Sequence, residues 1–394
     1  MKKRILAVTI SVFVLLAGCG KATDSGILQS ISGKASDSAD IPGQNIQKDN
    51  TSAGDFKYIS YLYNIYETGF ITATETQMYL DFESMEKTVL CAKPNCTHQS
   101  IDCTARIIGE TPIIYNDYIY FFDKKSGVNE TADGREFYID TKLKRISLTT
   151  SEIEEVTKFT DCSPNESGGC IISGNMLYFC ADDLNPVADD FGNICASSSV
   201  GGKHFICSID LETGEYTNYG SIYDGDKQFE EAVNSSAAKI TGCYNSKIYI
   251  EYSFMKEKIS NEEMETKDPR EYFTILNFEF DTAAQTVSES KLPPPSYMDS
   301  DTYVYSNYPE NSSTVIDKGE TYTIDGVDVG LFGRVFNGKL FMYDGWYDIT
   351  DGSEHSLGKY ENWEVLTLYD NCYVLISENR NDFVKVTEEE LLAL

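Results

Sequence analysis

Three cysteines and a histidine stand close together in the first third of the chain. Cys91, Cys96, His98 and Cys103 are spaced C-x4-C-x-H-x4-C. Three thiolates and one imidazole would complete a tetrahedral zinc shell with no position left for water. A shell closed in that way is structural, not catalytic. Disulfide bonding is the competing chemistry for the same thiols, and the spacing leaves both open. A second pair, Cys162 and Cys170, flanks the loop Pro164-Asn165-Glu166-Ser167-Gly168-Gly169 and could also be bridged. Cys180, Cys195 and Cys207 follow nearby, while Cys243 and Cys372 read as small buried apolar residues.

Other chemistry is poorly supplied. The chain has three histidines, His98, His204 and His355, with no HExxH spacing. His204 and His355 read as strand or surface residues. No G-x-S-x-G elbow, Walker A loop or G-x-G-x-x-G loop occurs. Arg106, Arg135, Arg145, Arg270, Arg334 and Arg380 are scattered, which does not suit a convergent arginine site. Among 63 Asp and Glu residues no spacing singles out a glycosidase pair. Asp182-Asp183-Leu184-Asn185 with Asp189-Asp190-Phe191-Gly192-Asn193 offers hard oxygen ligands for calcium but reads first as a solvated loop. The formal charge of −31 excludes nucleic acid as a partner class, since that needs clustered Lys and Arg.

The N-terminus carries an address. Lys2, Lys3 and Arg4 precede an apolar stretch from Ile5 to Leu16, too short to span a membrane comfortably. It ends in Leu16-Ala17-Gly18-Cys19, which resembles the lipobox of bacterial lipoproteins. The resemblance implies cleavage between Gly18 and Cys19, diacylation of the Cys19 thiol, and anchoring on the outer face of the cytoplasmic membrane. Two acyl chains, at about 0.8 kcal/mol per buried CH₂, hold firmly. An exported chain also meets an oxidising compartment, which favours disulfides, and lipidation of Cys19 would leave an even number of cysteines. Residues 19–55, rich in Ser, Gly, Asp, Asn and Lys, read as a lipidated flexible tether.

The elements that must position these residues are short strands. An apolar run, a two-residue turn and a second apolar run recur at Asn116-Asp117, Gly174-Asn175, Asn245-Ser246, Asn337-Gly338 and Asp370-Asn371. Those turn pairs suit the positive φ angles of tight hairpins. An outer half-repeat interleaves with them. Tyr79–Glu86, Arg145–Glu152, Ser208–Glu215 and Asn277–Ala284 each alternate apolar and polar residues before a turn. A hairpin followed by a second hairpin makes a four-stranded antiparallel unit with open edges, and stacking units radially covers their faces.

Complete units fall near 106–160, 166–222 and 237–292. Residues 56–105 read as an outer half-repeat with a ring-closing strand. Residues 293–330 read as irregular, with one weak hairpin at Asp325-Gly326, and 331–394 as two inner hairpins and a short helical tail. The 256–271 stretch reads as a charged excursion between strands. The expected fold is all-β, a propeller of six to eight four-stranded blades with seven preferred, over residues 56–394; a two-sheet sandwich is the alternative. The repeat resembles the β-propellers of the low-density-lipoprotein-receptor and TolB-like groups. The cysteine segment resembles one found in Gram-positive lipoproteins of this repeat type. The expected function is a lipid-anchored extracytoplasmic module binding a protein, peptide or cell-wall ligand. An extracellular enzyme using channel carboxylates, and a structural or assembly lipoprotein, are the alternatives.

Overall fold

The computed structural model describes residues 56–392 except 60–63, 67, 73–75, 92, 94, 101, 109–110, 132–133, 184–185, 189–193, 197–202, 224–235, 256–271, 308–309, 330–332 and 343–344. The stretches expected to be a signal peptide (1–18) and a tether (19–55), with Gly18 and Cys19, the charged 256–271 stretch and the acidic stretch 189–193 lie outside the described residues. Among the described residues no helix is long and apolar enough to cross a membrane.

Seven antiparallel sheets follow one another around a ring, a β-propeller of seven blades. The first blade comprises Asn64–Tyr66, Gly69–Ile71, Met78–Asp81 and Lys87–Val89. The second comprises Ile113–Tyr115, Tyr118–Thr131, Gly134–Ser147 and Ile153–Phe159, and the third is built on Cys170–Ser173, Met176–Asp183, His204–Asp210 and Tyr216–Ser221. Ser236–Tyr244, Lys247–Met255, Phe273–Asp281 and Thr286–Glu289 form the fourth. The fifth runs from Tyr297–Met298 to Glu320–Asp325, the sixth from Arg334–Phe336 to Glu354–Ser356. The seventh has Trp363–Tyr369, Cys372–Ser377 and Phe383–Thr387, followed by a terminal helix, Glu388–Leu392.

All five predicted inner hairpins form. In three of them both turn residues take the left-handed backbone the sequence implied, with φ of 50° and 60° at Asn245 and Ser246, 50° and 73° at Asn337 and Gly338 and 49° and 57° at Asp370 and Asn371; in the other two it is the first, Asn116 or Gly174. The outer turns form as well, and those of the second, third and sixth blades are tied to their inner hairpins. The Leu148 amide donates to the Asp117 carbonyl, Leu211 to Asn175 and Ile349 to Gly338, at 2.8–3.1 Å. The preceding carboxylate braces the turn: Asp210 Oδ1 accepts from the Glu212 and Thr213 amides, and Asp281 Oδ1 from those of Ala283 and Ala284. Those two amides hold the Asp281 carboxyl below its ordinary range.

Three expectations are corrected. Residues 64–89 are a complete blade, not an outer half-repeat. Tyr66 pairs with Gly69 across its first hairpin, and the two residues between them in sequence include no Asn or Gly to announce it. The strand Phe56–Ile59 does not close the ring but joins the third sheet against Cys170–Ser173. Residues 297–325 are also a full blade, in which the tight turn is Lys318-Gly319, with φ of 50° and 85°, rather than Asp325-Gly326.

The core lies between blades, where each face meets the next. Closure is by packing: Phe70, Leu80 and Phe82 of the first blade bury against Leu366, Val374 and Ile376 of the seventh. The Lys385 ammonium of the seventh blade also donates to the Phe82 carbonyl at 3.0 Å. No described strand is shared between the two sheets.

Candidate metal centre

Residues 90–108 carry the chain from the last strand of the first blade toward the first strand of the second. The two ends of this connection are pinned to one residue. The Leu90 amide donates to the Gln77 carbonyl (3.1 Å), and the Gln77 amide donates to the Ala105 carbonyl (2.8 Å). A short helix, Thr104–Ile107, buries Thr104 and Ala105, and the Thr104 hydroxyl donates to the Leu90 carbonyl at 3.3 Å. The segment between has almost no regular structure, so local bonds turn it. The Cys96 amide reaches the Lys93 carbonyl, the Cys103 amide the Ser100 carbonyl, and Lys93 Nζ the Asp102 carbonyl at 2.5 Å. Asn95 and His98 both adopt φ of 58°, uncommon for residues with a side chain.

This folding brings together all four residues singled out from the sequence. The Sγ atoms of Cys91, Cys96 and Cys103 and a ring nitrogen of His98 all lie within 4.8 Å of one another. Cys103 Sγ is 3.5 Å from His98 Nδ1, and the His98 amide donates to Cys96 Sγ at 3.4 Å. Cys103 is buried and the other three are half-buried. Burial pushes the Cys91 thiol up, but hydrogen bonds from Thr104, the Lys93 backbone and the Cys96 and Cys103 thiols outweigh it and bring the group down to about 6. Burial, with the neighbouring thiols Cys91 and Cys96, pushes Cys103 up to about 12. A set of three sulfurs and one imidazole suits a borderline-soft cation.

The remaining cysteines are separate. Cys162 and Cys170 are both buried free thiols. Cys162 Sγ lies 3.0 Å from the Tyr216 hydroxyl, which also meets Cys207 Sγ at 3.3 Å. Cys180, Cys207 and Cys243 are buried free thiols and Cys372 is half-buried.

One constellation had no sequence signal. His204, expected as a strand or surface residue, is 2% exposed. Its Nδ1 lies 2.8 Å from Asp182 Oδ1 and its Nε2 lies 2.9 Å from Ser236 Oγ. Asp182 and His204 are register partners on adjacent strands of the third blade, while Ser236 opens the fourth. Asp182, half of the acidic pair considered for calcium, is thus engaged with an imidazole. His355 stacks on Trp346, with ring centres 3.9 Å apart. Two of the scattered arginines converge: Arg334 and Arg380 both approach the buried Glu364, at 3.5 and 4.0 Å.

Strand direction places these features. In each four-stranded blade the inner and outer turns share one end. The cysteine segment, the Asp182–His204–Ser236 group and the long second-to-third-strand hairpin of the second blade belong to the opposite end.

No protein-family model matches the chain, and no curated protein matches it. Solved structures similar to it include the β-propeller domain of the Trilobed protease from Pyrococcus furiosus, 13% identical over 83% of this chain and 93% of its own length, with a TM-score of 0.37. Dipeptidyl peptidase 4 of Porphyromonas gingivalis is 11% identical over 90% of this chain, with a TM-score of 0.37, and this chain spans 56% of its length. TolB from Acinetobacter baumannii is 11% identical over 85% of this chain and 64% of its own, with a TM-score of 0.23.

Proposed function

We propose that this chain is a lipid-anchored, extracytoplasmic propeller that docks a protein partner on the ring face opposite its hairpin turns. One observation carries the reading. In the second blade the strands Tyr118–Thr131 and Gly134–Ser147 run past their neighbours in the sheet, since Ile113–Tyr115 pairs only with 118–120 and Ile153–Phe159 only with 141–146. At ~3.3 Å per residue the hairpin of residues 125–140 reaches roughly 20 Å farther. It exposes Val128 (40%) and Tyr138 (38%), two of the large apolar side chains left in solvent among the described residues. The ribbon also meets the strands Pro186–Ala188 and Ile194–Ala196 of the third blade, and the apolar and aromatic side chains it still leaves in solvent offer recognition surface rather than core. The lipobox motif supports the address.

Cross-linking on intact cells, followed by mass spectrometry, tests this. A reproducible protein partner joined near 125–140, lost in Tyr138→Asp while the purified variant keeps its stability, is the expected result. Recovery of wall fragments alone would shift the ligand to a glycan or peptide. Cys19→Ala should release the chain from the membrane fraction; retention there would remove the anchor from the reading.

A second reading is an acyl hydrolase, favoured by Asp182–His204–Ser236 instead of the channel carboxylates first considered. A carboxylate only accepts, so its bond to Nδ1 leaves Nε2 of a neutral ring as acceptor toward the Ser236 hydroxyl. Ser236 is 7% exposed, however, which suits an interblade brace better than a nucleophile. Labelling by a fluorophosphonate decides: an adduct on Ser236, absent from His204→Gln, would make the enzyme reading the leading one.

A further inference from the structure

We infer that Cys91, Cys96, His98 and Cys103 bind a single zinc ion as a closed, structural site that holds the connection between the first and second blades. Four observations meet here. First, the ligand atoms converge within 4.8 Å although they come from a segment with almost no regular structure. Second, the sulfur–nitrogen separation between Cys103 and His98 fits. Zn–S near 2.3 Å and Zn–N of about 2.0–2.1 Å in a tetrahedron space sulfur from nitrogen by about 3.6 Å. Cys103 Sγ and His98 Nδ1 are 3.5 Å apart. Third, the count fits: a disulfide would use two of the three thiols and strand the third beside the imidazole, whereas a tetrahedral shell uses all four donors. Fourth, the surroundings suit thiolate ligands. The His98 amide donates to Cys96 Sγ, and the Lys93 ammonium is held across the loop on the Asp102 carbonyl.

The position explains what the ion would do. The helix after Cys103 and the strand before Cys91 are both tied to Gln77, so residues 91–103 form a loop closed at its base. Among the described residues its backbone hydrogen bonds are local, Cys96 to Lys93 and Cys103 to Ser100, and none joins the two sides of the tip. A four-coordinate ion supplies that closure, as a small core cannot. Binding consumes no oxidant: each coordinating thiol loses its proton to solvent as its sulfur ligates the ion.

The test is metal analysis of the full chain purified without chelator or reductant, with denatured mass after thiol alkylation. The expected result is one zinc per chain and all three thiols alkylated once the metal is removed. Metal-free chain titrated with Co²⁺ should develop thiolate-to-cobalt charge transfer together with the strong visible absorption of tetrahedral cobalt. His98→Gln should weaken binding while keeping charge transfer, and Cys96→Ser should lower both. Because a variant could misfold, the wild-type titration stands by itself. A chain whose mass shows a bridge among Cys91, Cys96 and Cys103 in cells, or whose reduced thiols take up neither Zn²⁺ nor Co²⁺, overturns the assignment.

Discussion

His204 Nε2 and Ser236 Oγ stand 2.9 Å apart across the boundary between the third and fourth blades. With Asp182 on Nδ1, both ring nitrogens are satisfied in a site that is almost fully buried. Removing the imidazole leaves a carboxylate and a hydroxyl short of a partner, at a cost of about 1–3 kcal/mol. His204→Ala should therefore lower the denaturant midpoint with little change in slope. An unchanged midpoint would show that the group contributes nothing to joining the blades.

Tyr66 does similar work two boundaries earlier, between the first and second blades. Its hydroxyl donates to the Pro112 carbonyl (2.9 Å) and accepts from the Ile114 amide (3.0 Å). Tyr66→Phe keeps the ring and strips both bonds, orphaning a buried amide. The expected loss is about 1–3 kcal/mol in equilibrium unfolding, several times the effect of removing a solvent-facing hydroxyl.

The buried tyrosines set an alkaline limit. Burial pushes Tyr79 and Tyr373 from 10.0 up to about 12, and raises Tyr66 and Tyr297 beyond that range. A raised folded-state value means the native state holds its proton where the unfolded chain has released it. The stability tied to these phenols is complete below pH 10 and drains away as pH climbs from 10 through 12. Phenolate absorbance should therefore lag behind free tyrosine on raising the pH, then rise cooperatively with unfolding. Simple titration of every tyrosine near 10 in a folded chain would contradict it.

Ring closure rests on side chains. Leu366 is fully buried in the cluster that joins the seventh blade to the first. Leu366→Ala removes methyl groups from the seam and should cost about 2–5 kcal/mol. Limited proteolysis should then open the chain first in the seventh blade. Protection of that blade equal to the wild type would show that the seam is not what closes the ring.

Much of the architecture was legible in residue order because a hairpin is a local object. Asn337-Gly338 and Asp370-Asn371 prefer positive φ wherever they stand, and flanking alternation selects the face. The blades that escaped detection lacked that chemistry. The sequence between Tyr66 and Gly69 offers no glycine or asparagine, and Lys318-Gly319 carries only half of the usual pair.

The cysteine cluster divides in the same way. Donor identity and spacing nominated Cys91, Cys96, His98 and Cys103 from the sequence alone, since these residues lie within a single short loop. Both ends of that loop are held by Gln77, which lies outside it, just before the strand Met78–Asp81. The meeting of Asp182, His204 and Ser236 was beyond any sequence reading, because the three are brought together by strand register and by the stacking of one blade on the next. Local backbone preference placed the five hairpins announced by Asn, Asp and Gly pairs. The stacking of sheets, driven by burial of their apolar faces, decided which distant side chains would touch.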